Sequence, residues 1–126
     1  MEKTLKYKYD IDTDKKIISQ IYRGTISVES LEKGFFELMA DSRVAPGYNI
    51  LTDIRFCDFP IDPEELDQYI QLVKKTVSGH RAKNAILTDT PLETAISMIY
   101  RDLMTVHQVK IFSTYNAAME WLIRVL

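Results

Sequence analysis

Apolar and polar positions alternate along this chain with two different periods. Leu5 to Asp12 and Lys16 to Arg23 read as two strands, joined by the polar turn Asp12-Thr13-Asp14-Lys15, which has hairpin length. Ile17, Ile18, Ile21 and Tyr22 cluster as expected of a strand covered on more than one side. After Gly24 the period changes. Val28, Leu31, Phe35, Leu38 and Met39 recur at helical spacing behind the N-cap Ser27, with Ile26 and Leu31 at the staple positions. Gly34 inside this helix costs about 1 kcal/mol relative to Ala, which predicts close packing on a sheet.

Asp41 to Gly47 reads as a loop and Tyr48 to Asp53 as a short strand buried on both faces. The connection that follows, Ile54-Arg55-Phe56-Cys57-Asp58-Phe59-Pro60-Ile61, is apolar for a loop. Asp62, Pro63 and Glu65 start a second helix, whose stripe is Leu66, Tyr69, Ile70, Val73 and Val77 and whose stop is Gly79. Lys83 to Asp89 is a strand, and Thr90-Pro91-Leu92-Glu93 opens a third helix lined by Leu92, Ala95, Ile96, Ile99 and Leu103. His107 to Phe112 is the last strand. Ser113 or Thr114 caps a final helix that faces Ala118, Trp121, Leu122 and Val125 inward. The order β-β-α-β-α-β-α-β-α predicts one α/β domain over residues 1–126. Its five-stranded sheet is mostly parallel with one antiparallel edge strand, and its four helices cover both faces.

Composition adds exclusions. Sixteen basic and 18 acidic residues leave a net charge of −2, which gives no electrostatic reason to bind nucleic acid. No apolar run reaches the roughly 18–20 residues of a membrane span, so membrane insertion is not expected. The first residues lack the apolar core of a secretory signal. One cysteine, Cys57, allows no internal disulfide, and a cytoplasmic location is expected.

Three stretches resemble the STAS fold of the anti-sigma-factor antagonist superfamily, and in detail its SpoIIAA-like, STAS/SEC14-related branch of small bacterial proteins. They are Tyr22-Arg23-Gly24-Thr25-Ile26-Ser27, Ile50-Leu51-Thr52-Asp53-Ile54-Arg55, and Val109-Lys110-Ile111-Phe112-Ser113-Thr114 with Ala117-Ala118 and Trp121-Leu122. The resemblance covers nearly the whole chain in short, apolar pieces. It implies a SpoIIAA-like domain acting as a non-catalytic binding or interaction module, with a homodimer or another protein as partner. The SEC14 kinship implies a small apolar or lipid-like ligand. The family's phosphorylatable serine would fall near Asp62, where Ile61-Asp62-Pro63-Glu64 has neither the hydroxyl nor the glycine. Asp62 is explained as an N-cap.

The candidate chemistry is spatial. In open α/β sheets ligands bind outside the carboxyl ends of the strands, and those ends carry Asp53, Asp89 and Ser113-Thr114. Asp53, Arg55, Phe56, Phe59 and Asp89 are therefore the candidate ligand- or partner-binding residues. Phe56 and Phe59 fold onto the core, line a pocket or meet a partner. A second reading is a small hydrolase or lyase, in which Asp53 and Asp89 raise one another's pKa. A third is a phosphoregulated switch at Ser113 or Thr114. No metal or cofactor is expected. Asp10-Ile11-Asp12-Thr13-Asp14 has Lys15 and Ile21 where a calcium loop needs Gly and Glu, and His80 and His107 lack ligand partners at metal spacing. Cys57, between apolar flanks, reads as a packed residue.

Overall fold

A computed structural model describes residues 4–77 and 81–124. The hairpin predicted at the start forms β1 (Lys6–Asp12) and β2 (Ile17–Thr25), and α1 (Val28–Met39) follows. Then come β3 (Asn49–Asp53), β4 (Cys57–Asp58), α2 (Pro63–Thr76), β5 (Lys83–Leu87), α3 (Pro91–Leu103), β6 (Gln108–Phe112) and α4 (Tyr115–Ile123). The strand order is β1-β2-β3-β5-β6. β1 runs antiparallel to β2, and the pairs from β2 to β6 are parallel.

The apolar connection at 54–61 is more than a loop. After β3 ends, Cys57 and Asp58 continue alongside β2, pairing with Gly24 and Thr25 as a sixth, two-residue strand. Gly24 also meets the segment ahead of β1. Its φ is +108°, and a Cβ there would lie 2.5 Å from the Thr4 carbonyl oxygen.

The helices divide three against one. Leu38 of α1 packs with Ile11 and Ile18. Phe35 of α1, Leu66 and Ile70 of α2, and Met104 just beyond α3 share one cluster. On the opposite face, among the described residues, Ala118, Trp121 and Leu122 of α4 cover Ile17, Leu51, Ala85 and Leu87. Strand alternation sends Ile17 to one layer and Ile18 to the other, so β2 reads as a continuous apolar stretch. The close approach predicted at Gly34 is present, with the Tyr7 ring and the Tyr22 hydroxyl 3.2–3.3 Å from where a Cβ would stand.

The caps follow the sequence at Ser27, Asp62 and Thr90, and the last helix is capped by Thr114, not Ser113. The inward face of α3 differs from expectation. Leu92 is 54% exposed and Ala95 is also exposed, while Glu93 and Ser97 are buried. The cause is Glu93. One carboxyl oxygen accepts from the amides of Asp89 (2.6 Å) and Thr90 (3.2 Å), and the other from the amide of Cys57 (3.3 Å). Satisfying three backbone donors turns Glu93 inward and Leu92 outward. Gly79, His80 and Val125, read above as helix stop, loop histidine and inward residue, lie outside the described residues.

Glu93→Gln keeps the size of the side chain but replaces one acceptor oxygen with a donor. It is expected to lower stability by about 1–3 kcal/mol, while Leu92→Ser stays within about 0.5 kcal/mol. Urea unfolding of both variants measures the contrast.

Candidate functional site

The carboxyl edge of the sheet brings together some of the expected residues. Asp53 ends β3 and is buried. The Arg23 guanidinium reaches its two oxygens at 3.2 and 2.9 Å, and the Arg55 guanidinium at 3.0 and 2.8 Å. The Arg55 amide adds a bond at 3.1 Å. Burial alone pushes the Asp53 carboxyl upward, but the hydrogen bonds from Arg55 and Arg23 outweigh it and hold the group at about 2, below its ordinary 3.8. The mutual raising expected of Asp53 and Asp89 is therefore corrected at Asp53, whose partners are cations. Asp89 is exposed, and its charge is felt by Arg55.

The two loop phenylalanines part company. Phe59 is half-buried against the cluster of Tyr22, Ile26 and Ile54. Phe56 is 64% exposed, has φ +63°, and lies under the Arg23 guanidinium at 5.7 Å. A left-handed conformation is uncommon for a bulky residue and is held here by the pairing of Cys57 with β2 on one side and the Arg55–Asp53 bonds on the other. Cys57 is buried as expected. Burial pushes its thiol up to about 12, which leaves it without thiolate character near neutrality.

Behind this edge, between the sheet and helices α1–α3, lies a cavity of about 110 Å³. Leu31 and Phe35 of α1, Leu66 and Tyr69 of α2, and Ile96 and Tyr100 of α3 form its roof, and Phe59 joins its wall. Its floor is the sheet, where polar residues interrupt the apolar set. Gln20 and Thr52 are register partners on β2 and β3, and Asn84 lies diagonally on β5. The Gln20 amide donates to Thr52 Oγ1 at 3.2 Å, and Asn84 Nδ2 donates to the same oxygen at 3.1 Å. Tyr7 Oη donates to Gln20 Oε1 at 2.9 Å. These bonds make a polar rail across three strands beneath an apolar roof. Burial raises the phenols of Tyr69 and Tyr100 above their ordinary value, keeping them neutral.

His107, just before β6, also lines the cavity. It is 7% exposed, and its Nδ1 is buried without a hydrogen-bond partner. Burial lowers its pKa, so the imidazole is neutral. In the sequence His107 opens the last strand without ligand partners at metal spacing, and Gln20, Thr52 and Asn84 belong to no motif. The signal available was parity: each stands at a core-facing position of a strand whose neighbours in that set are apolar. Of the expected site residues only Phe59 borders the cavity; Asp53, Arg55, Phe56 and Asp89 belong to the edge. Among the described residues no group of three or more His, Cys, Asp and Glu is placed to hold a metal ion, and no helix is long and apolar enough to cross a membrane.

Because the folded-state pKa of Asp53 lies below its unfolded value, its contribution is fully present above pH 4 and is lost as pH falls toward 2. The gap is worth on the order of 2 kcal/mol. Asp53→Asn is expected to lower stability at pH 7 and to flatten the fall between pH 4 and 2, as measured by unfolding across that range.

No protein-family model matches the chain, and no curated protein does. Among solved structures it is similar to an uncharacterized protein from the DUF3478 family with a SpoIIAA-like fold, from Shewanella loihica PV-4. The TM-score is 0.62, over 97% of this chain and 95% of that one, at 15% sequence identity. The chain has a SpoIIAA-like fold, as the sequence resemblance implied.

Proposed function

We propose that this chain is a non-catalytic binding module whose cavity between the sheet and α1–α3 takes a small, largely apolar molecule. The observation that carries this reading is the cavity itself, with apolar walls and a few convergent polar groups, the usual composition of a ligand site. Its size selects within the expected class. An engineered cavity of about 150 Å³ accepts benzene, so about 110 Å³ suits a small ring or branched chain and is too short for a long-chain lipid. Burying about 150 Å² of ring surface at about 25 cal/mol/Å² gives roughly 4 kcal/mol, a Kd on the order of 1 mM. The hydrolase or lyase alternative is less favoured, because a general acid or base needs a pKa near the working pH and Asp53 is held far below it.

Toluene is the first probe. Titrated into the isotope-labelled protein, it is expected to shift amide resonances around Thr52, Asn84 and Tyr100 and to saturate in the millimolar range. Ile86→Phe, which enlarges a floor residue, is expected to remove that response while the protein stays folded. Shifts scattered over the surface, or none, would sink the reading.

Self-association is a second reading, favoured by Phe56. Its exposed ring lies under Arg23, beside Arg55 in sequence, and Asp58 and Asp89 are exposed acids of the same edge. Two copies facing each other across a two-fold axis can pair these opposite charges around the two rings. Sedimentation velocity is expected to show a dimer that Phe56→Ser dissociates. A monomer at all concentrations would remove this reading.

A further inference from the structure

A second hollow, of about 270 Å³, adjoins the first at the amino ends of β2 and β3. Residues 44–48 of the loop after α1 line it, with Thr76 at the end of α2. Ala45, Pro46 and Gly47 are exposed, so this outer hollow meets solvent. Met39, Ile50, Val77 and His107 line both hollows.

The floor runs from one to the other without a break. Ile18 and Ile50 are register partners, and so are Gln20 and Thr52. Positions two apart on a strand share a face, so Ile18, Gln20 and Tyr22 form one line and Ile50 and Thr52 the next. Ile18 lies under the outer hollow, Gln20 and Tyr22 under the inner one, and Ile50 under both. From Ile18 to Tyr22 the line is about 13 Å long. Any partition therefore stands above the floor, where Met39 closes α1 and Val77 caps α2. Val77 is branched at Cβ and has little rotamer freedom. Met39 is unbranched, half-buried, and packs against the apolar clusters on both sides. The loop beyond it is pinned. Asp41 accepts from the Tyr9 hydroxyl at 2.9 Å and from the Arg43 guanidinium at 3.0 and 2.8 Å. Met39 is thus the adaptable part of the junction.

The walls also restrict charge. No Asp, Glu, Lys or Arg lines either hollow, so a charged group within them would have no counter-ion.

Resting on the cavity reading above, we infer that the two hollows are one elongated site joined past the Met39 side chain. Its occupant is an uncharged molecule with a small ring in the inner hollow and an alkyl arm of a few carbons in the outer one. The outer hollow is also the way in, since it alone of the two is bounded by the exposed 45–47 loop.

Toluene and n-butylbenzene, titrated in parallel into the isotope-labelled full chain, test this. Butylbenzene is expected to bind about 30-fold more tightly, about threefold for each added carbon. It is expected to shift the amides of Val44, Gly47 and Tyr48, which toluene leaves in place. In Val44→Trp, whose ring fills the outer hollow, the ratio of affinities is expected to fall to about threefold or less while toluene binds as before. The amide shifts of the unsubstituted protein decide the matter if that variant fails to fold. Equal affinities, a ratio unaltered in Val44→Trp, or amides at 44–48 that stay in place with butylbenzene overturn the joined site and leave the cavity reading standing. Binding of neither probe overturns both.

Discussion

The carboxyl group of Glu93 fixes more of this structure than any other side chain. It takes up the amides of Asp89 and Thr90 at the start of α3 and the amide of Cys57 in β4. Two segments 36 residues apart thereby share one carboxyl group. The bonds to α3 set the rotation of that helix, which turns Ser97 and Tyr100 toward the cavity. The bond to Cys57 holds β4 against β2, and with it the path of the 54–61 segment. That path decides which phenylalanine enters the wall and which stands in solvent. A carboxyl group buried at a helix N-terminus is tolerable because its donors are fixed backbone amides and the helix dipole favours its charge.

The sheet then presents two faces with different characters. The face under α4 is filled by Leu51, Ala85, Leu87 and Trp121 and needs no polar bonds among its side chains. The face under α1–α3 carries Gln20, Thr52 and Asn84 in one connected row. Three polar residues at core positions would be expensive singly, and each is acceptable because its neighbour on the next strand supplies the bond. The row bonds its side chains to one another across the strands at the floor of the cavity. The edge cluster of Asp53 with Arg23 and Arg55 is separate from this row and rigidifies the strand ends.

Much of the architecture was legible because it rests on local rules. Asp62-Pro63, Thr90-Pro91 and Ser27 each sit at a helix start for reasons confined to four residues. The hairpin and the Gly34 approach were also readable. The β4 strand was not, because two residues carry no period and their pairing with Gly24 and Thr25 is set from a distance. Leu92 was placed inward because apolarity outweighs capping in a periodicity argument, whereas the folded chain gives priority to three unpaired amides. Asp53 was legible as a strand-end acid, but its partner Arg23 is 30 residues away. The cavity was the least legible feature, since it arises between three strands and three helices. Parity at Gln20, Thr52 and Asn84 was visible, but only the strand order shows that they adjoin.

The last helix has a consequence for how the chain is made. Among the described residues α4 is the sole helix on one sheet face, and it is held from behind. Lys83 Nζ donates to the carbonyls of Trp121 and Arg124, and Asn49 Nδ2 to that of Leu122. Every strand precedes this helix in the chain. During synthesis the sheet can pair and gather α1–α3 while Ile17, Leu51, Ala85 and Leu87 still face water, until the residues through 123 have emerged from the ribosome. The nascent protein therefore passes through a stage with one sticky flat side, the kind of surface that chaperones capture. Docking of α4 closes it.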